Sequence, residues 1–350
     1  MKISKLLIAW YNLHGRELPW RETADPYKIW VSEIILQQTR IAQGMSYYHS
    51  FLSRFPDIRS LAEADELEVL KIWQGLGYYS RARNMHSAAR EIIQKRNGIF
   101  PRSYTELIGL KGIGPYTAAA ISSIVSNEPK PAIDGNVKRV ICRLSGLTVN
   151  IKESLALREI SAALEIIFDP DEPGIFNQAM MDLGAMICTP ANPKCIECPL
   201  SMHCVANKNG MVNELPVSYM DKKIRNRYLI YYIIRNQEGI MLKKRTANDI
   251  WKSLYEFPLV EIDKRPGETE WTSYLSNTLH QNIPFLIEKV SDEIKHNLSH
   301  QKIFARFIHV KIDIPGLENI FHGTAFVPFA ELHTYPLPRL IEKYLEDNPI

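Results

Sequence analysis

Cys188-x6-Cys195-x2-Cys198-x5-Cys204 packs four thiols into a stretch that also carries Pro190, Pro193 and Pro199. Prolines at that density interrupt regular helix and strand, so a short loop must gather the thiols. Four soft thiolates at loop spacing suit either tetrahedral zinc or an iron–sulfur cluster. Zinc sites more often use two Cys-x-x-Cys pairs, and only Cys195 and Cys198 form one, which favours the cluster although spacing alone leaves both open. A secreted disulfide framework would instead spread its cysteines along the chain. The fifth cysteine, Cys142, sits alone on an apolar helical pattern and reads as a buried structural thiol.

A chain of 350 residues with 45% apolar and 23% charged side chains is expected to be globular and to form two domains. No apolar run approaches the ~18 residues of a membrane helix, and Leu6 to Trp10 is too short for a signal peptide, so a cytoplasmic location is expected. Residues 1–210 hold 24 basic and 21 acidic side chains and the remainder 18 of each, a basic excess too small to identify a nucleic-acid partner by itself. Up to about residue 205 the texture is helical: Tyr27 to Gln43, Leu67 to Trp73, Ser80 to Arg96, Pro115 to Val125, Val137 to Leu144 and Glu153 to Phe168 space apolar residues three and four apart. From about Lys222 the texture is β-rich, with YLIYYIIRN and GIMLKKR joined by a turn and LSHQKIFARFIHVKI partly alternating. Val205 to Arg227 has little periodicity, and the linker is placed at 206–225, between a helical domain (1–205) and an α+β domain (226–350).

Within the helical part, Leu110-Lys111-Gly112-Ile113-Gly114-Pro115 reads as a tight hairpin followed by a helix opened by proline, a shape that aims free N–H groups outward and favours an anion. Asp134-Gly135-Asn136 opens another helix about twenty residues on. This hairpin (about 107–120), Asp134 and the four cysteines occur in the order and spacing of the helix-hairpin-helix DNA glycosylases that carry a four-cysteine cluster loop, and the chain resembles that superfamily. SEIILQQTR, GLGYYSRARN, AIDGNVKRV and FNQAMMDLGAMICTP look like its MutY-type adenine glycosylase branch.

The resemblance implies a mainly α HhH-GPD glycosylase region with a [4Fe-4S] loop at 188–204, followed by an α+β Nudix-like domain. It implies a base-excision-repair enzyme that binds double-stranded DNA containing adenine opposite 8-oxoguanine or guanine, flips the adenine out and hydrolyses its N-glycosidic bond. Gly112, Gly114 and Lys111 would meet a DNA phosphate, with a monovalent or divalent cation sharing the hairpin carbonyls; Lys111 departs from the proline usual in the family. Cys188, Cys195, Cys198 and Cys204 would hold one [4Fe-4S] cluster. Glu33, surrounded by Ile29, Trp30, Leu36 and Gln37, is expected to be desolvated and protonated and to donate to adenine N7; a helix-capping carboxylate is the plainer alternative. Asp134 would face the sugar cation, with Asn136 and Tyr116 alongside, although at a helix start it also reads as an N-cap. A lysine fills the position of Tyr116 in related enzymes that cut the strand; a phenol cannot form that Schiff base, so monofunctional action is expected.

The resemblance further assigns Arg16 and Gln178 to the adenine pocket, and Gln38, Thr39, Leu76 and Tyr78 to the DNA wedge and opposite-base contacts. Arg81 and Arg83 are expected on a phosphate-facing helix. Trp20, Trp30, Tyr48 and Tyr79 read as core aromatics. In the second half, WKSLYEFPLVEI resembles the Nudix fold, but EIDKRPGETEWTSYL lacks the paired glutamates that bind magnesium, so hydrolysis of nucleoside diphosphates is not expected. The resemblance makes Leu298-Ser299-His300 the 8-oxoguanine-reading loop, with leucine in place of the family's phenylalanine. The chain is expected to act as a monomer at the nucleoid. Two rival classes are a bifunctional lyase for oxidised pyrimidines, which Tyr116 argues against, and a non-enzymatic cluster-bearing DNA-binding module, which Glu33 and Asp134 argue against.

Overall fold

The computed structural model describes residues 2–219, 224–265, 267, 284–313 and 323–350. In chain order the helices are α1 (Ile3–His14), α2 (Pro26–Ile35), α3 (Ile41–Arg54), α4 (Ile58–Glu63), α5 (Glu66–Ile72), α6 (Ser80–Arg96), α7 (Tyr104–Leu107), α8 (Pro115–Ser126), α9 (Gly135–Ser145), α10 (Ser154–Ile167), α11 (Pro173–Met186), α12 (Val205–Lys208) and α13 (Arg339–Asp347). The chain divides into two compact units, residues 1–63 with 84–220, and residues 64–83 with 221–350.

The first unit is built on α11, which packs against α1, α8 and α9. Leu7, Val137, Ile141, Phe176, Met180 and Leu183 bury their side chains together there. Phe176 is fully buried, so truncating it to alanine would cost about 3–5 kcal/mol. Local chemistry sets the helix starts. Asp25 caps α2 by accepting from Tyr27 N at 2.9 Å, with Pro26 in the first turn, and Gly114 precedes Pro115 at the start of α8. The helix expected from Tyr27 to Gln43 is two helices, α2 and α3, because Gln38 takes a left-handed φ of 59°. That break turns Gln38 and Thr39 toward the cavity described below.

The segment expected to be a linker, 206–225, is mostly exposed over its described residues but is anchored at a few points. Ala206 and Leu215 are buried, Arg143 Nε donates to the Leu215 carbonyl at 2.8 Å, and Ile151 N donates to the Val217 carbonyl at 3.0 Å. Backbone carbonyls rather than an apolar stripe hold it, so its periodicity is poor.

In the second unit, β1 (Arg225–Arg235), β2 (Gly239–Lys244), β3 (Tyr255–Glu256), β4 (Leu259–Ile262), β5 (Leu286–Val290), β6 (Ile294–Asn297), β7 (Gln301–Lys311) and β8 (Thr324–Pro328) form one sheet. Its central path runs β3-β2-β1-β7-β5, with β4 on β1, β6 on β7 and β8 on β2. The β1–β7 pair is parallel, in the register Tyr228↔Phe304 and Tyr231↔Phe307. Both aromatic pairs stack, at 5.2 and 5.0 Å between centroids, which is the cross-strand contact that fixes such a register. Within the same unit, Arg81 is buried between Trp73 and Tyr78, its guanidinium 5.1 and 5.7 Å from their rings, and burial pushes its pKa down to about 10. Arg83 Nη1 donates to the Lys252 carbonyl at 2.6 Å. Arg81 is thus packed away from the surface, whereas Arg83 is half-buried. Most of the stretch read for an absent magnesium-binding box, residues 266 and 268–275, lies outside the described residues.

Candidate active site

The first unit carries a cavity of about 1040 Å³ that is open to solvent, at the upper end of small-ligand sites. Glu33 from α2, Tyr116 from α8, Asp134 and Asn136 at the start of α9, Gln178 from α11, and Arg16, Gln38 and Thr39 all line it. These residues come from separate stretches of the chain and meet because α2 packs on α8, and α8 and α9 pack on α11.

The Glu33 carboxyl is pushed up to about 7, chiefly by burial, with the nearby Asp134 charge adding to the rise; the facing Tyr116 hydroxyl and Arg21 pull the other way. Burial likewise raises the Tyr116 phenol well above its ordinary value, with Glu33 adding to the effect. The Tyr116 hydroxyl also lies 3.1 Å from Met181 Sδ. The cavity therefore presents an acid that is still about half protonated at neutral pH beside a neutral phenol.

Asp134 is the N-cap of α9: one carboxylate oxygen accepts from Val137 N at 2.7 Å and the other from Asn136 Nδ2 at 2.8 Å. Asn136 is held in turn by Arg139, whose Nη2 donates to Asn136 Oδ1 at 2.8 Å and to the Gly184 carbonyl at 2.7 Å, while its Nε donates to the Cys188 carbonyl at 2.7 Å. One hydrogen-bonded chain thus runs from the first cysteine of the loop to the Asp134 carboxylate. A methyl at Gly184 would lie 2.6 Å from Asn136 Cβ, so this approach of α11 to α9 requires glycine.

At the hairpin, Gly112 has a left-handed φ of 85°, and a Cβ there would sit 2.6 Å from Asn84 Cβ. A Cβ at Gly114 would meet nothing within 4 Å, and Lys111 is exposed. The turn thus leaves open space in front of the α8 N-terminus.

Cys188, Cys195, Cys198 and Cys204 surround a second, small cavity of about 30 Å³. Arg143 Nη1 donates to Cys188 Sγ at 3.4 Å and to the Thr189 carbonyl at 2.7 Å. Among the described residues, no three or more His, Cys, Asp or Glu side chains close on a point as they would around a single metal ion. The four cysteines thus line one shared space, with an arginine donating to one of them. Cys142 is fully buried, as expected of a structural thiol, and burial raises it to about 11.

Comparison with known proteins identifies the family. The model for the HhH-GPD superfamily base excision DNA repair protein matches residues 31–165, and that for a NUDIX domain matches residues 230–347. An adenine DNA glycosylase of Buchnera aphidicola subsp. Acyrthosiphon pisum is 39% identical over 352 residues, covering 98% of this chain and 97% of that protein. The chain belongs to the adenine DNA glycosylase family. An adenine DNA glycosylase of Arabidopsis thaliana is 32% identical over 376 residues, covering 93% of this chain and 59% of its own. Among solved structures, a thermostable thymine-DNA glycosylase matches 59% of this chain and 95% of its own with a TM-score of 0.53 and 27% identity. The protein is thus a base-excision-repair DNA N-glycosylase with a helical HhH-GPD region and a Nudix-like C-terminal domain. No helix among the described residues is long and apolar enough to cross a membrane.

The remaining residues singled out from the sequence lie in the second unit. Leu76 is buried, whereas Tyr78 is 44% exposed with a left-handed φ of 47°, so Tyr78 rather than Leu76 is offered at the surface. The Tyr78 hydroxyl lies 3.4 Å from Ser299 Oγ, which is itself 3.2 Å from His300 Nδ1. Leu298 is half-buried, its N–H donating to the Gln301 carbonyl at 2.9 Å across the β6–β7 turn.

Sequence reasoning missed the wall behind Arg16 and Gln178. Asp182, fully buried, accepts from Arg16 N and Nε, both at 2.9 Å, and from Arg21 Nη1 and Nη2, both at 2.8 Å. Burial alone would raise the Asp182 carboxyl, but the two arginines outweigh it and hold it below the usual range. The signal was available in the apolar run around Asp182, where an acid on a buried helix face demands a cation.

Proposed function

We propose that the enzyme removes adenine mispaired with 8-oxoguanine or guanine in duplex DNA by hydrolysis alone, with Glu33 as general acid and Asp134 as the carboxylate facing the sugar. The observation that carries this reading is a carboxyl pushed up to about 7 in the same cavity as a second carboxylate that accepts two N–H bonds. A pair of acids in unlike surroundings is how glycosidic bonds are broken at neutral pH.

Glu33 donates its proton to N7 of the flipped adenine. The C1′–N9 bond then breaks with its electron pair leaving on the base, and the positive sugar faces Asp134, which forms an ion pair or a transient bond with it. Water adds to C1′, displacing Asp134 if it has bonded there, and returns a proton to the Glu33 carboxylate, leaving free adenine and an abasic site. Asn136 fixes the Asp134 carboxylate through its Nδ2. Tyr116, a phenol, closes the site and offers no amine, so the strand stays intact. Arg16 and Gln178 bound the base, and Gln38 and Thr39 reach toward the orphaned partner.

The hairpin amides of Gly112 and Gly114, with Lys111 beside them, hold a backbone phosphate, and a monovalent or divalent cation shares the turn; such contacts position the enzyme on any duplex. Cys188, Cys195, Cys198 and Cys204 hold one [4Fe-4S] cluster, which supplies a structural crosslink. Residues 226–350 form the part that reads the lesion, through Leu298, Ser299 and His300, with the exposed Tyr78 beside them and Leu76 packed beneath the surface. The enzyme acts as a monomer in the cytoplasm, at the nucleoid.

The test is single-turnover adenine release from duplexes in which adenine faces 8-oxoguanine, guanine or thymine. Release from the first two only, slowed by about 10²- to 10³-fold in Asp134→Asn, is expected. Equal release opposite thymine, or an unaffected Asp134→Asn enzyme, would contradict the proposal.

A further inference from the structure

Gln178 is the one amide of the cavity wall contributed by α11, and its hydrogen bonding is lopsided. Its Oε1 accepts from the Tyr11 hydroxyl at 2.6 Å, while no described residue accepts from its Nε2, and Gln178 lines the cavity. Tyr11 lies behind this wall and does not line it. An amide can turn over, exchanging its oxygen for its nitrogen at little steric cost, so what fixes the orientation is whether Tyr11 donates or accepts.

Tyr11 is the donor in this bond, and its surroundings favour that sense. The Arg21 guanidinium sits over its ring at 5.4 Å from the centroid, drawing electron density from the phenol. Arg21 cannot drift, because Asp182 grips it through two bonds of 2.8 Å. Burial raises the Tyr11 pKa, with Asp182 adding to it and Arg21 and Arg16 opposing, so the hydroxyl keeps its proton at neutral pH.

We propose that Tyr11 is a specificity lock: it fixes the Gln178 amide so that Nε2 and the second lone pair of Oε1 face the base, which admits a 6-aminopurine and disfavours a 6-oxopurine. The inference rests on the reading that the flipped base enters this cavity. In adenine, a ring nitrogen that accepts lies next to an amine that donates, and a glutamine held this way satisfies both. In hypoxanthine the amine is replaced by a carbonyl, whose oxygen would face Oε1 with no proton between them. Released from Tyr11, the amide can turn its Nε2 to that carbonyl, and discrimination falls. Tyr11 touches no reacting atom and acts only through Gln178, as a positioning residue.

The experiment compares single-turnover excision of adenine and of hypoxanthine, each opposite 8-oxoguanine, by wild type, Tyr11→Phe, Gln178→Leu and the double variant. Tyr11→Phe removes one hydroxyl without changing shape. It should lower the adenine-to-hypoxanthine rate ratio by about tenfold, the scale of one hydrogen bond, and should have no further effect on that ratio in the Gln178→Leu background. Equal slowing on both bases, or an unchanged ratio in Tyr11→Phe while Gln178→Leu shifts it, would overturn the lock and leave the cavity reading standing. A ratio that neither single variant moves would overturn both.

Discussion

Replacing Glu33 by glutamine keeps the shape of the side chain and removes its transferable proton. General-acid catalysis of this kind is worth about 10²- to 10⁴-fold, so excision should fall by that factor while duplex affinity, set by phosphate contacts elsewhere, stays within a few-fold of wild type. The pH dependence sharpens the test. With its carboxyl at about 7, wild-type enzyme should lose single-turnover rate about tenfold per pH unit above that value, as the protonated fraction shrinks, and Glu33→Gln should lose this limb. Stability carries the opposite mark of the same shift. The fold holds the proton up to about pH 7, whereas the unfolded chain releases it near 4.5. Native stability therefore declines as pH rises between those values, by on the order of 3 kcal/mol. Glu33→Gln removes the decline, so its melting temperature should gain on wild type between pH 5 and pH 8. A variant that retains full activity, or a rate flat from pH 6 to pH 9, would refute the reasoning.

Further outcomes follow from other parts of the molecule. Tyr116→Phe removes a hydroxyl that lowers the Glu33 carboxyl, so the alkaline limb of its rate profile should move to higher pH; a shift to lower pH would contradict the assignment. Gly112→Ala forces a Cβ at a left-handed φ and to 2.6 Å from Asn84 Cβ. It should cost about 1 kcal/mol or more of stability and weaken binding to matched and mismatched duplexes alike, whereas a loss confined to mismatches would count against a phosphate role. Purified protein should be brown, absorb near ~400 nm and contain about four irons per chain; colourless, zinc-containing protein would remove the cluster.

The features legible in the sequence were those whose chemistry is local. Glu33 among apolar neighbours, Asp134 at a helix start, the Gly112–Gly114 turn and the spaced cysteines each carry their meaning within a few residues, and the structure brings Glu33 and Asp134 to one cavity. What the sequence hid was decided at long range. Arg21 and Asp182 are 161 residues apart and recognise each other only after α11 packs on the core. The break between α2 and α3 rests on one backbone angle at Gln38, which no apolar spacing reports. Arg81 looked like part of a charged face because periodicity cannot distinguish a guanidinium in water from one held over Trp73 and Tyr78. The 206–219 segment has no apolar stripe, since carbonyls such as that of Leu215 do the holding.

The most direct test of the central claim is single-turnover incubation with end-labelled duplexes carrying adenine opposite 8-oxoguanine, analysed with and without alkali, beside a duplex carrying thymine glycol. Breaks at the adenine that appear only after alkali, with the pyrimidine lesion untouched, are the expected result. Cutting without alkali, or action on thymine glycol alone, would contradict a monofunctional adenine glycosylase built on Glu33, Asp134 and Tyr116.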